Sequence, residues 1–126
     1  MKSITVVVDI ARSAHVVLGR EDALRLLTAI KEARGSTRDL TEAVRIVASF
    51  DEYYSYSRRK FEDYIFLPKD PRESLEGRTV LQKLRLMRNG GESVEIVFDR
   101  RMDLNAIVEA LKTIGFEKVE VTYQSF

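Results

Sequence analysis

The stretch SVEIVFDRRMDLNAIVEALKTIGFEKVEVTYQSF, Ser93 to Phe126, constrains the fold more than any other part of the chain, because it reads as strand, helix, strand with its boundary signals in place. Val94, Ile96 and Phe98 alternate with Ser93, Glu95, Val97 and Asp99, the period of a strand with one face more buried than the other. Asp103 is placed to cap a helix and Met102 to staple it against Ile107. Leu104, Ile107, Val108, Leu111 and Ile114 make one apolar stripe at helical spacing. Gly115 then supplies the left-handed residue that ends the helix, with Phe116 folding back on Leu111. Val119, Val121 and Tyr123 alternate with Lys118, Glu120, Thr122 and Gln124, which predicts a second strand with one wet face.

Upstream, SITVVVDI (Ser3 to Ile10) is β-branched and nearly continuous in apolar character, as suits a central strand. ARSAHVVLG reads either as a loop or as a loop with a short extra strand at His15 to Leu18. A helix follows from Arg20 to Arg34, with Glu21 and Asp22 in its first turn, a stripe of Leu24, Leu27 and Ile30, and Gly35 as its stop. After a cap at Ser36 or Thr37, apolar residues hold helical spacing to Leu67. This predicts one long helix from Arg38 to about Phe66, broken if anywhere near Ser55 to Ser57, with Arg58–Glu62 and Arg59–Asp63 as surface pairs. The alternative is a helix followed by a hairpin within YYSYSRRKFEDYIF, since tyrosine and phenylalanine also favour strands. Asp70, Pro71 and Glu73 start a short helix that Gly77 ends. In RTVLQKLRLM-NGG-ESVEIVFD a three-residue turn pairs Arg88 with Glu92 and sets Leu86 opposite Val94, Leu84 opposite Ile96 and Arg85 opposite Glu95. A two-residue turn would set leucines against polar residues, so the pattern selects the three-residue hairpin.

The two halves echo each other, VVVD before DALRLLTAI and IVFD before DLNAIVEAL. Two such strand–helix–strand units predict an α+β, ferredoxin-like split βαβ sandwich: an antiparallel sheet with helices on one face and a long helical insertion over about residues 36–77, all in a single domain spanning 1–126. The right-handed crossover rule then sets the strands beginning at Ser3 and Glu92 side by side and antiparallel.

Composition excludes several chemistries. With 126 residues and 44% hydrophobic content the chain is long enough for a core of its own. Cys 0 removes disulfides, thiolate nucleophiles, iron–sulfur clusters and cysteine-based zinc sites. No apolar run approaches the roughly 20 residues of a membrane span, and the N-terminus lacks a signal peptide's pattern, so the expectation is a soluble cytoplasmic protein. A net charge of +1, from 21 basic and 20 acidic residues, leaves any nucleic-acid binding to a local patch. Charged residues at 33%, with Asn89, Asn105, Gln82 and Gln124 as the amides, fit a hyperthermophile's composition. In that composition the chain resembles small uncharacterised proteins of viruses infecting hyperthermophilic archaea, which would place it inside the host cell; the resemblance assigns no functional residue.

Asp9 and Asp99 end matching strands beside basic residues, Arg12 for one and Arg100 with Arg101 for the other. Two carboxylates hold a divalent metal against a phosphate in many nucleases. In the expected fold these two lie at opposite ends of the sheet, about 20 Å apart, and each begins the turn after its strand. Asp9 alone stays a candidate: VVVDI followed by basic residues is similar to the first strand of the CRISPR-associated ferredoxin-like nucleases, and that resemblance implies an aspartate from each of two subunits meeting at a metal. No counterpart of that family's later arginine-glutamine and serine-valine-phenylalanine pattern is present. His15, the sole histidine, forms a drawable trio with Asp9 and Ser13 but has no nucleophile-elbow motif around it. Gly90 and Gly91 sit in a hairpin and do not read as a phosphate loop.

Tyr54 with Arg58, Arg59 and Lys60 interleaves rings and cations, as a single-stranded nucleic-acid site does; the plainer reading turns the rings to the core and pairs the cations with Glu62 and Asp63. The outward sheet positions Thr5, Val7, Lys83, Arg85, Glu95, Val97, Lys118, Glu120 and Thr122 carry no aromatic residue, which sets an RNA-recognition sheet aside. Val7 and Val97 on that face predict a partial cover, either the insertion or a second subunit. The sequence therefore predicts a non-enzymatic binding or assembly module, a homodimer with a nucleic-acid or protein partner and with no cofactor or metal. A metal-dependent nuclease centred on Asp9 is the alternative.

Overall fold

The computed structural model describes residues 2–61 and 63–124. Its elements are β1 (Ser3–Val8), β2 (Ala14–Gly19), α1 (Arg20–Arg34), α2 (Arg38–Ala48), α3 (Phe50–Arg59), β3 (Ile65–Phe66), α4 (Pro71–Leu75), β4 (Leu81–Arg88), β5 (Glu92–Phe98), α5 (Leu104–Thr113) and β6 (Lys118–Tyr123). The class is α+β. One 6-stranded sheet runs in the order β3-β4-β5-β2-β1-β6. Val6, Val16, Leu18, Leu84, Leu86, Val94, Ile96 and Phe98 from one sheet face share a buried core with residues of α1, α2, α5 and the first turn of α3. Among the described residues no helix is long and apolar enough to cross a membrane.

Local signals act as expected where the residues involved are close in sequence. The β4–β5 hairpin pairs Arg88 with Glu92, Leu86 with Val94, Arg85 with Glu95 and Leu84 with Ile96. Asp103 caps α5 through Asn105 N, and Phe116 N donates to Leu111 O after Gly115, whose φ of 112° disfavours any side chain. Helix α1 covers Arg20–Arg34, and Asp70 caps α4 by accepting from Arg72 N and Glu73 N.

Strand order departs from the expected sandwich. The optional strand at His15 to Leu18 is a full strand, β2, and it lies between β1 and β5. It forms a hairpin with β1 through the loop from Asp9 to Ser13, and pairs along its length with β5. Because β2 is antiparallel to both neighbours, β1 and β5 run in the same direction, and the sheet is mixed, with β1 and β6 parallel. The all-antiparallel sheet with β1 against β5 is thereby corrected: the edge of β1 expected to meet β5 pairs instead with β2, its neighbour in sequence across a short loop.

The insertion also differs. The long helix expected from Arg38 to Phe66 is two helices that break at Ser49 (φ −105°, ψ 46°). At the break the Arg20 guanidinium donates to the carbonyls of Val47 (3.1 Å) and Ala48 (2.6 Å), a cationic cap on a helix C-terminus. Helix α3 ends at Arg59, and Phe61 takes a left-handed φ of 55°. The chain then crosses to the sheet edge, where Ile65 and Phe66 pair with Leu84 and Lys83. The continuous helix does not form, and of the alternative, a helix followed by a hairpin within YYSYSRRKFEDYIF, the described residues show the helix and one short strand, Ile65–Phe66, which pairs with β4. The expected Arg58–Glu62 pair lies outside the described residues, and Arg59 and Asp63 no longer share a helix.

Candidate functional site on the open sheet face

The helices pack on one sheet face; on the other, Val97 and Glu95 at the centre are buried beneath neighbouring side chains while Val17 and Phe66 are exposed, and strand registers fix what this face displays. Phe66, Lys83, Val97, His15, Val7 and Thr122 are successive cross-strand partners and form one row across all six strands. A second row carries Arg85, Glu95 and Val17. Tyr64, two residues before Phe66, shares its parity, and its hydroxyl donates to Glu95 Oε1 at 3.0 Å.

The sole histidine anchors this face. His15 Nε2 lies 2.7 Å from Asp9 Oδ2, and its Nδ1 lies 3.0 Å from Glu95 Oε2. Glu95 also pairs with Arg85 at 2.9 Å. Burial pushes the Glu95 carboxyl up, but its hydrogen bonds with His15 and Tyr64 and the charge of Arg85 outweigh it and hold the group below its ordinary value. Burial and the bond to Glu95 both raise the Tyr64 phenol. The trio of Asp9, Ser13 and His15 does not assemble as a catalytic unit. Ser13 gives Asp9 its backbone amide, and both imidazole nitrogens already face carboxylates, which leaves no ring nitrogen to activate a hydroxyl.

At the edge of this face, the ends of β1 and β5 open into a cleft of about 500 Å³ lined by Asp9, Ser13, Lys69, Gln82, Lys83, Asp99, Arg100 and Arg101. Asp9 and Asp99 therefore lie at the same end of the sheet, two strand spacings or roughly 10 Å apart, and not at opposite ends. Each does begin a turn. Asp9 Oδ1 accepts from Ala11 N (2.9 Å) and Ser13 N (3.0 Å), and Asp99 Oδ1 accepts from Arg101 N (2.9 Å) and Nε (3.1 Å). Lys69 reaches Asp99 Oδ2 at 3.4 Å. Burial opposes both charges; the hydrogen bond between His15 and Asp9 and those from Arg101 to Asp99, with the turn amides, outweigh it and hold both carboxyls below the usual range.

These donors suit an anion better than a cation. The carboxylate oxygens are already taken up by amides, His15, Lys69 and Arg101, and among the described residues no group of three His, Cys, Asp or Glu gathers to hold a metal. A divalent ion does not fit without displacing those partners. Four cationic side chains, Lys69, Lys83, Arg100 and Arg101, face two aspartates.

The other sequence candidates lie elsewhere. Tyr54 stacks on Phe50 with ring centres 5.8 Å apart and carries Arg88 over its face at 4.9 Å, so its ring serves packing on the helix side. Arg58, Arg59 and Lys60 are at the C-terminal end of α3; Lys60 lies over the ring of Tyr56, and Phe61 beside them is 96% exposed. They are not brought to Asp9. Sequence reading missed Tyr64, Phe66, Glu95 with His15, and Lys69. The alternation Tyr64-Ile65-Phe66 was the available signal for the first pair, since Ile65 turns to the core and its neighbours turn outward. The aromatic-free sheet face is thus corrected: β3 adds Phe66, 68% exposed, with the Lys83 ammonium 5.5 Å from its ring and 4.2 Å from that of Tyr64.

No protein-family model, curated protein or solved structure matches the chain.

Proposed function

We propose that this protein is a non-enzymatic binding module whose open sheet face takes single-stranded nucleic acid. The observation that carries the reading is Phe66, an exposed ring flanked by Lys83 on a face that leads into the cationic cleft. A base stacks on such a ring at about 1–3 kcal/mol, while neighbouring cations neutralise phosphates. Lys83 belongs to both the Phe66 pairing and the cleft, so a strand whose base covers Phe66 has its next phosphates near Lys69, Arg100 and Arg101. Among the described residues the outer strand β6 pairs with β1 alone, and its other edge is where a second copy would join to give the homodimer.

The test is a fluorescence-anisotropy titration with labelled single-stranded and duplex DNA and RNA at low and moderate salt, with and without magnesium. Salt-sensitive binding that favours single strands, without breakdown of the probe, is expected. No binding to any of the four probes would sink the reading and leave a protein partner.

A second reading, a metal-dependent nuclease centred on Asp9, has one observation in its favour, that Asp9 and Asp99 line the same cleft within one chain, and it requires a divalent ion to displace the amide, His15, Lys69 and Arg101 partners of those carboxylates. It requires magnesium- or manganese-dependent cleavage that Asp9→Ala abolishes. An intact probe after prolonged incubation of the wild type with either ion would exclude it.

A further inference from the structure

A second groove, of about 540 Å³, opens at the same end of the sheet as the cleft but on the helix side, where Val8, Met102 and Leu104 line it. Asp9 and Arg100 line both, so cleft and groove adjoin round the C-terminal ends of β1 and β5. Two exposed apolar side chains flank the groove, Tyr123 at 69% and Ile10 at 58%. Tyr123 sits on a fixed backbone: it pairs with Val8 in the parallel β1–β6 ladder, and the next amide, Gln124 N, donates to Val8 O at 2.9 Å.

The cations of this groove are free where those of the cleft are partly engaged. Lys69 and Arg101 pair with Asp99, whereas Arg12 and Arg100, both exposed, meet no carboxylate among the described residues. The one acid in the lining, Asp9, is taken up by His15 and the turn amides. Arg12 also holds a left-handed φ of 72° in the turn that Arg12 N closes on Asp9 O at 2.9 Å. Glycine or asparagine takes that conformation at lower cost, so what arginine adds there is its side chain.

We propose that this groove is a second nucleotide subsite, in which a base stacks on Tyr123 while Arg12 and Arg100 neutralise the adjoining phosphates. The inference rests on the reading that the sheet face binds single-stranded nucleic acid. A strand that leaves the cleft past Arg100 meets the groove next, and a ring beside unpaired guanidiniums matches the alternation of base and phosphate. A wholly apolar partner would instead bury both guanidiniums without counter-charge. Phe66 and Tyr123 lie on the two outer strands, five strand spacings or roughly 24 Å apart. An oligonucleotide of about twelve nucleotides exceeds that span even at a stacked rise of about 3.4 Å for each.

The test is the affinity of the full chain for a labelled oligothymidylate of that length, read by anisotropy across a salt series. Tyr123→Ala should weaken binding roughly five- to 150-fold, the range for one base stacked on an aromatic ring, and Tyr123→Phe, which keeps the ring, should bind as the wild type does. Arg12→Gln should lower the log–log salt slope by about 0.7, the share of one phosphate. Wild-type affinity in Tyr123→Ala, equal weakening in Tyr123→Ala and Tyr123→Phe, or an unchanged slope in Arg12→Gln would overturn the subsite. If Phe66→Ala still weakens binding in that case, the sheet-face reading stands without it; absence of binding by the wild-type chain would overturn both.

Discussion

Phe66 faces Lys83 directly across the β3–β4 ladder, and the lysine ammonium lies 5.5 Å from the centre of the phenylalanine ring. The pair presents a stacking surface and a cation at one point of the open sheet face. Phe66→Ala should therefore weaken single-stranded binding by about 1–3 kcal/mol and leave the melting temperature nearly unchanged, since the ring is exposed. Lys83→Ala should flatten the salt dependence by about 0.7 in log–log slope, the share of one phosphate that the ammonium no longer neutralises. Anisotropy titrations of both variants across a salt series check this; wild-type affinity in Phe66→Ala would remove the ring from the binding surface.

Replacing Arg58, Arg59 and Lys60 together by alanine removes three charges from the exposed end of α3. If the strand runs across the sheet and round the β4 edge, the salt slope should drop by about 0.7 for each phosphate these cations neutralise. The same titration reads it, and an unchanged slope would confine the strand to the sheet face and its cleft.

Asp9, Glu95 and Asp99 all have folded-state pKa values below their ordinary ones. The sign follows: their stabilisation is fully present above the ordinary carboxylate pKa of about 4, and it is lost as pH falls from there through the lowered folded values. Thermal unfolding should vary little with these groups between neutral pH and about pH 5 and decline below about pH 4. Glu95→Gln should be less stable than wild type at neutral pH, and the gap should close in acid. A gap of constant size across the series would show that the Glu95 charge contributes nothing.

The Asp39 carboxylate, 1% exposed at the start of α2, accepts from the backbone amides of Val80 (2.8 Å) and Leu81 (2.7 Å). It ties the insertion to the first residue of β4. Asp39→Ala leaves two buried amides unbonded, each worth about 1–3 kcal/mol, so chemical denaturation should register a loss on the order of 2–6 kcal/mol. A loss under about 1 kcal/mol would mean that water or another group replaces the carboxylate.

The sequence by itself determined what depends on near neighbours. The three-residue turn at Asn89, Gly90 and Gly91 set the β4–β5 register, because its length and the alternation of Leu84 and Leu86 with Lys83 and Arg85 admit one pairing that buries both leucines. Asp103 and Gly115 bounded α5, and Asp70 opened α4, through hydrogen bonds to backbone amides within three residues or a local change of φ. Tertiary structure alone decided the rest. Whether His15 to Leu18 was loop or strand depended on β5 lying alongside to take up its amides, with His15 opposite Val97, a pairing no local pattern encodes. That one strand turned β1 to run with β5 and brought Asp9 and Asp99 to one cleft. Likewise Ile65 and Phe66 became an edge strand against helical spacing because the β4 edge offered partners at Leu84 and Lys83, and sheet pairing with Ile65 packed partly buried against the core outweighs the small helix propensity of an aromatic run.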